Sequence, residues 1–280
     1  VQTAALGSEP ITRGIFPAQD PASQLFGAVP LKDETSTQFT LGLAYQPSDA
    51  FMVTLDYYFI ALDDRIWISS NFNVGPEERA ELIALGAPGA DQLTTVRFFN
   101  NDIDTETTGI DLVAQYNIDW NAGNTLFTLA VNVNDTKVTR RTDRQTDPAN
   151  PDPVYFLSDA GVYQIENGDP DVRANFTATH SWANNVSATM RGNWFGDYTF
   201  VNPRNVDQFQ DMSGAVYWDA DLTWNASDTI SVTLGGRNLF DAAPDQQPAF
   251  FACCGITSHQ SSVMDWQGPY YYIRGVFGWN

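Results

Sequence analysis

Cysteine is almost missing from this chain. The 280 residues hold two, side by side at Cys253-Cys254. Adjacent cysteines rule out the spaced pairs that zinc sites and CxxC redox motifs need. Charge is also sparse, at 17% of residues against about 25% in an average soluble protein. Basic residues are the scarcest part of it. Lys+Arg total 14 against 34 Asp+Glu, for a net charge of −20. Such a chain repels phosphate instead of releasing its counterions, which excludes a nucleic-acid partner. Long apolar runs are absent too. The longest, Tyr57 to Leu62, falls far short of the ~18 residues of a spanning helix, and mean hydropathy is −0.27. No Gly-rich phosphate loop and no HExxH pattern appears. The sequence opens at Val1 with no initiator Met and shows no basic or apolar leader stretch, so we expect a removed signal or a fragment.

Aromatic residues, by contrast, reach 13%, with 8 Trp, 11 Tyr and 18 Phe. That abundance excludes disorder. Many aromatics, few charges and no long apolar run suit alternating strands. The period-2 signal is strong. Val216, Trp218, Ala220, Leu222 and Trp224 alternate with Tyr217, Asp219, Asp221 and Thr223. Residues 171–182, 185–194 and 229–237 repeat the pattern. Each strand has one apolar and one polar face, and the charge sits on the polar face.

This reading predicts nine strands, near 35–46, 50–70, 95–120, 124–141, 170–182, 185–200, 214–225, 229–240 and 269–280. The third is expected to break near Asn100–Asp104. Short links at residues 47–49, 121–123, 183–184 and 226–228 alternate with long ones at 71–94, 142–169, 201–213 and 241–268. Within 75–86 the sequence Pro76-Glu77-Glu78 opens a short loop helix. Strict alternation puts all tight turns at one end of an up-and-down sheet. Outer-membrane barrels share this asymmetry, with short periplasmic turns and long extracellular loops.

The aromatics agree. Tyr45, Trp120, Trp182 and Trp224 each lie just before a tight turn, on the apolar face by parity, and Trp279 ends the last strand in phase. Membrane–water interfaces hold aromatics at that depth. A soluble β-sandwich has no need of five descending strands that each end in an outward aromatic. Nine is odd, whereas bacterial single-chain barrels are even, so a piece of a larger barrel is expected. Residues 1–34 read as part of a long extracellular loop, and 35–280 as the barrel wall.

Five local motifs then resemble the C-terminal barrel of TonB-dependent outer-membrane receptors, in that family's order. They are Leu31-Lys32-Asp33-Glu34-Thr35-Ser36 with Phe39 to Leu43, Thr107 to Leu112, Gly168 to Arg173, Gly236 to Asp241, and Gly268 to Arg274. Asp33 stands where the family usually has Pro, and Thr40 where it has Glu. The family usually ends on an aromatic residue, whereas this sequence ends Trp279-Asn280. The resemblance covers residues 31–280 and implies an all-β, antiparallel up-and-down transmembrane barrel of about 22 strands, of which these are the last nine. It implies a plug and TonB box outside these residues, and a Gram-negative outer-membrane location. The implied partners are lipid, lipopolysaccharide, the rest of the barrel, the inner-membrane TonB complex and a small-molecule ligand such as a saccharide, siderophore or cobalamin. A small self-contained barrel acting as an adhesin or structural protein is the alternative.

No catalytic, cofactor or metal site is expected. His259 near Ser258, Ser261 and Asp265 is a chance arrangement of loop residues, and His180 is expected to pack on the outward face. Asp111, Asp219 and Asp221, with Arg173, Arg191, Arg237 and Arg274, fall on lumen-facing positions, where charge is tolerated. Asp143, Asp147, Asp152, Asp159, Asp207 and Asp211 read as solvated loop charge that matches no EF-hand. Cys253-Cys254 would be extracellular, in an oxidising setting. A vicinal disulfide there is a loop staple, a rigid contact surface for ligand, or gives way to an intermolecular bond. Ligand-contact candidates are Tyr155, Phe156, Phe250, Phe251, Cys253, Cys254 and Trp266. The two anionic loops, 142–169 and 241–268, would slow capture of anions, favouring a neutral or cationic ligand such as a saccharide over a ferric catecholate.

Overall fold

A computed structural model describes residues 12–144, 155–202, 205–248, 263 and 267–278. In chain order the elements are β1 (Arg13–Ile15), α1 (Pro21–Gln24), β2 (Thr35–Ser48), β3 (Phe51–Ile68), β4 (Phe72–Asn73), α2 (Pro76–Ala84), β5 (Thr95–Arg97), β6 (Phe99–Trp120) and β7 (Gly123–Arg141). There follow α3 (Asp159–Asn167), β8 (Val172–Trp182), β9 (Val186–Phe195), β10 (Tyr198–Asn202), β11 (Asn205–Met212), β12 (Ala215–Ser227), β13 (Ile230–Arg237) and β14 (Tyr270–Phe277).

Nine strands form one antiparallel sheet in the order β14-β13-β12-β9-β8-β7-β6-β3-β2. They coincide with the nine segments of hydrophobic alternation. The two edge strands, β2 and β14, do not pair with each other. The sheet is therefore an open wall and not a sealed barrel, as expected for part of a larger one. No helix among the described residues is long and apolar enough to cross a membrane.

Register gives the wall two faces, because successive side chains leave a strand on opposite sides. Leu43, Leu55, Leu112, Val131, Ala174, Trp194 and Val216 lie in one cross-strand row over seven strands. The adjacent row on the other face runs Gly42, Asp56, Asp111, Asn132, Arg173, Phe195. The apolar face is bare, with Leu41, Leu43, Ile110, Leu222 and Ile273 all exposed. An apolar sheet face this large and unburied is the reverse of a soluble fold and calls for a lipid solvent.

The short turns follow from local chemistry. Gly123 has φ +151, and a Cβ there would lie 2.9 Å from the Ser181 carbonyl carbon and nearer still to its oxygen. Only glycine lets β7 meet β8 at that turn. Asn185 opens the next strand at φ 62, a left-handed conformation that asparagine tolerates.

At the long-loop end the chain builds a small lobe. β5 pairs in parallel with β1 and antiparallel with β4. Phe16, Leu82, Val96, Phe98 and Phe156 form its core. Phe72 stacks on Phe98 at 5.5 Å, and Phe156 meets both rings edge-on, 5.6 Å and 5.2 Å away. This core corrects the expected break in the third strand. The chain leaves the strand at Phe98, because Phe98 is fully buried in the lobe, while at Asn100–Asp104 the strand continues with its register shifted against both β3 and β7. The expected loop helix is α2, with Glu77 and Glu78 in its first turn and Leu82 anchored in the core.

Two further boundaries move. The sixth segment ends at Phe195, where Gly196 and Asp197 turn the chain into a separate β10–β11 hairpin. The eighth ends at Arg237, because Asn238 adopts φ 49. The long link at 142–169 contains α3, which hydrophobic periodicity did not reveal. Ser158 caps it, accepting from the Gly161 N–H at 3.3 Å. β7 outruns β8 at this end, and Glu166 of α3 accepts from the otherwise free Val138 N–H at 2.8 Å. The helix thus covers a strand edge that would otherwise be bare.

Candidate functional site: the polar face and its rim

The apolar face ends, at the short-turn side, in linked aromatics. Trp120 Nε1 donates to Thr125 Oγ1 at 2.8 Å, and that hydroxyl lies 2.7 Å from His180 Nδ1. The His180 ring meets Trp182 edge-on at 4.4 Å. Trp120 and Trp182 share a row through Gly123. Trp224 sits opposite Val186, and Tyr45 opposite Val53. All four aromatics are exposed on the same face, and none turns to the polar side. Trp279 lies outside the described residues.

The polar face is cross-linked. Asn132 donates to Asp111 at 2.7 Å and to the Tyr58 hydroxyl at 3.0 Å, so it ties β7 to β6 and to β3 beyond it. Asn134 donates to Asn132 at 2.7 Å, and Asn175 donates to Asn193. Tyr58 lies flat across Gly109, where an added Cβ would stand 2.8 Å from Cε1 and closer to Cζ and Oη. Tyr272 covers Gly235 in the same way. The glycine inside the Thr107–Leu112 motif is therefore a seat for an aromatic ring.

The charges expected on this face fall into small groups. Arg191 pairs with Asp221 at 2.7 Å. Arg173 reaches Asp169 at 3.1 Å. Asp219 accepts from the Asn238 N–H at 2.9 Å. Asn238 itself exchanges two hydrogen bonds with Ala242, each 2.8 Å. The Asn238-Leu239-Phe240-Asp241 motif is thus a strand terminator clamped to the neighbouring strand. Asp219 and Arg237 line one cavity, opposite Tyr270, while Arg274 stands apart, opposite Thr233.

Three cavities open on this face. One of about 600 Å³ is lined by Arg65, Trp67, Asn132, Asn134, Glu166 and Arg173. A second, about 470 Å³, shares Asn132 and Arg173 with it. A third, about 350 Å³, shares Asn193 and Phe195 with the second. Sequence reasoning missed Tyr58, Trp67, Asn132 and Asn193. Tyr58 was hidden inside the apolar run from Tyr57 to Leu62, whose alternate members face opposite ways.

The rim holds an ion network. Outward positions of β6 past Ile110 are Thr108, Glu106 and Asp104, so this stretch stands clear of the apolar band. Arg140 Nη2 donates to Asp104 at 2.6 Å and to Asp64 at 3.1 Å, and Lys32 reaches Asp64 at 2.6 Å. The hydrogen bond from Arg140 holds the Asp104 carboxyl below its ordinary range, against the opposing pull of burial. Asn101 fastens the lead-in, exchanging bonds with the Lys32 backbone at 2.9 and 3.0 Å.

Among the ligand-contact candidates, Phe156 is a correction. It is 4% exposed, because the lobe core needs its ring. Tyr155 is half-buried beneath Arg141, whose guanidinium carbon sits 4.0 Å from the ring centroid. Phe250, Phe251, Cys253, Cys254 and Trp266 lie outside the described residues, as do His259 and Asp265. Among the described residues, no group of three or more His, Cys, Asp or Glu is placed to hold a metal ion.

Two-faced antiparallel strands, with exposed aromatics at the short-turn end of the apolar face and a cross-linked polar face opposite, have the form of a transmembrane β-barrel wall. The model of the TonB dependent receptor-like β-barrel family matches residues 6–239. The chain belongs to that family. Similar solved structures include the outer membrane transporter YddB from Escherichia coli, at 10% identity and TM-score 0.59, covering 88% of this chain and 33% of that one. The FrpB iron transporter from Neisseria meningitidis (F3-3 variant) matches at 15% identity and TM-score 0.55, covering 91% and 33%. A mutant ferric enterobactin receptor from Pseudomonas aeruginosa matches at 15% and 0.53, covering 88% and 31%. The chain spans about a third of the length of these structures. No curated protein sequence matches it.

Proposed function

We propose that this chain is barrel wall of a TonB-dependent receptor that imports a scarce small ligand across a Gram-negative outer membrane. The carrying observation is the two-faced open sheet. Its bare apolar side meets lipid and ends in Trp120, Trp182 and Trp224, while its polar side carries cavities near the long loops. The polar face is the lumen wall. It meets the plug and the remaining strands, and its long-loop end receives ligand. Lipopolysaccharide surrounds the rim. Energy arrives from the inner-membrane TonB complex through the plug, and this wall does no covalent chemistry. The open edges of β2 and β14 speak against a self-contained adhesin barrel. Net charge of −20 favours a neutral or cationic ligand, since a negative mouth slows capture of anions.

The test is uptake by cells producing the receptor, with TonB present or deleted, across labelled neutral, cationic and ferric-catecholate ligands. Accumulation of a neutral or cationic ligand only when TonB is present is the expected result. Equal accumulation without TonB would refute energised transport.

A further inference from the structure

The lobe sheet brings two arginines together on the face it turns away from its core. β1 and β5 run parallel, with Arg13 beside Thr95, Gly14 beside Val96 and Ile15 beside Arg97. Val96 belongs to the core, so Thr95 and Arg97 leave β5 on the other side, together with Arg13 and Ile15. Asn73 of β4 lies opposite Thr95, is exposed and joins them. One strand spacing of ~4.8 Å and two residues of rise put the Cα atoms of Arg13 and Arg97 about 8 Å apart.

Arg97 differs from other arginines at the long-loop end. Arg140, Arg141 and Arg144 each hold a carboxylate, whereas Arg97 holds none among the described residues. Its Nε donates to the Ser69 carbonyl at 2.7 Å, and the Ser69 N–H donates in turn to the Phe98 carbonyl at 2.8 Å. This clamp fixes the guanidinium. It leaves the forked end, both Nη atoms, without an acceptor among the described residues. Burial holds the Arg97 guanidinium below its ordinary range, and the charge of Arg13 pushes the same way. It stays charged at neutral pH all the same. With 34 Asp+Glu in the chain against 14 Lys+Arg, a half-buried arginine that has no acid of its own is set for an anion from outside.

A second group on this face points to a ligand. Thr95 is 7% exposed, and its Oγ1 is buried with no hydrogen-bond partner. Such an unpaired hydroxyl costs stability until an acceptor arrives. A carboxylate would be filled by the Arg97 fork alone. A phosphoryl group presents three acceptor oxygens and a charge of about −1.5 to −2, enough for the fork, the Thr95 hydroxyl and a second guanidinium. The acidity of the whole chain does not forbid it, since exposed charges more than ~8 Å away are largely screened at physiological salt.

We propose that this face of the lobe is a binding site for a phosphoryl group, held by the Arg97 fork, the Thr95 hydroxyl and the charge of Arg13. Neither arginine lines the three cavities of the polar face. The site is therefore separate from the path of an imported ligand and does not depend on the uptake reading. The phosphoryl group comes from a surface glycolipid such as lipopolysaccharide or from a soluble phosphate monoester.

The experiment uses the full receptor that carries this chain, purified in detergent. Calorimetry and the unfolding temperature are followed with inorganic phosphate, a sugar phosphate monoester, chloride at equal ionic strength, and lipopolysaccharide before and after removal of its phosphates. Phosphate should bind and raise the unfolding temperature where chloride does not. Arg97→Gln should weaken phosphate binding about tenfold. Arg97→Lys keeps the charge, lacks the fork and should lie between the two. Thr95→Val should raise the unfolding temperature of the phosphate-free receptor, because the unpaired hydroxyl is gone, and should still weaken phosphate binding. A merely structural Arg97 or Thr95 would alter stability and leave phosphate affinity unchanged. Lipopolysaccharide binding that falls with both Arg97→Gln and dephosphorylation identifies the glycolipid as the source. Arg97-dependent binding of the monoester without that pattern identifies the soluble ester. No phosphate effect beyond that of chloride, or equal phosphate affinity in wild type and Arg97→Gln, would overturn the site.

Discussion

Placing an alanine at Gly109 should destabilise the barrel, and removing the Tyr58 ring should reverse the sign. Gly109 needs no special backbone conformation, since its φ is not among the positive values. On backbone grounds alone, Ala in a strand should gain about 0.5–1 kcal/mol over Gly. The new Cβ, however, would stand 2.8 Å from Tyr58 Cε1 and closer to Cζ and Oη. The ring must swing off its preferred rotamer, at about 1 kcal/mol. Its hydroxyl then leaves Asn132, now 3.0 Å away, which costs about another 1 kcal/mol. The balance is a loss of roughly 1–1.5 kcal/mol. In a Tyr58→Ala background both penalties vanish and only the backbone gain remains. Gly109→Ala should then stabilise by about 0.5–1 kcal/mol. The assay is denaturant unfolding of the receptor in detergent, followed by tryptophan fluorescence, for the four members of the cycle. If Gly109→Ala is equally destabilising in both backgrounds, the glycine is not there to seat the tyrosine.

Asn238→Ala should cost about 2–3 kcal/mol, since alanine resists φ 49 and two bonds to Ala242 disappear. Asn238→Gly should recover the backbone share but not the bonds, which the same unfolding assay can resolve. Asp104 carries a depressed pKa, so its stabilisation is present above the unfolded carboxyl value near 4 and fades as pH falls through the folded one. The gap in unfolding temperature between wild type and Asp104→Asn should therefore narrow below about pH 4, and a gap that widens there would contradict the pairing with Arg140. Trp120, Trp182 and Trp224, tested as the sole remaining tryptophan one at a time, should be quenched by lipids brominated near the headgroup and barely by aqueous iodide. Strong iodide quenching of any two would place the aromatic belt inside the barrel.

The alternation of apolar and polar residues determines the strands and their faces without help from any tertiary contact. The reason is geometric, because a pleated strand sends every second side chain the same way and a one-residue slip would put charge into lipid. Nine segments, the turn and loop ends and the apolar parity of Trp120, Trp182 and Trp224 all follow from that period. Local chemistry also sufficed for α2, whose Pro76-Glu77-Glu78 start is written in the sequence. What the period cannot carry is contact between distant segments. Phe16, Phe72, Phe98 and Phe156 are spread over 141 positions, and only their meeting in the lobe explains why β5 breaks from β6 and why Phe156 is buried and not presented to ligand. α3 persists because β7 outruns β8 and leaves the Val138 N–H to be capped by Glu166, a need that no window of sequence displays. The bond from Asn132 to Tyr58 spans two strand intervals and exists only at one register. The polar face was legible as polar from its residues. Which of its residues meet across strands was decided by which strands lie side by side.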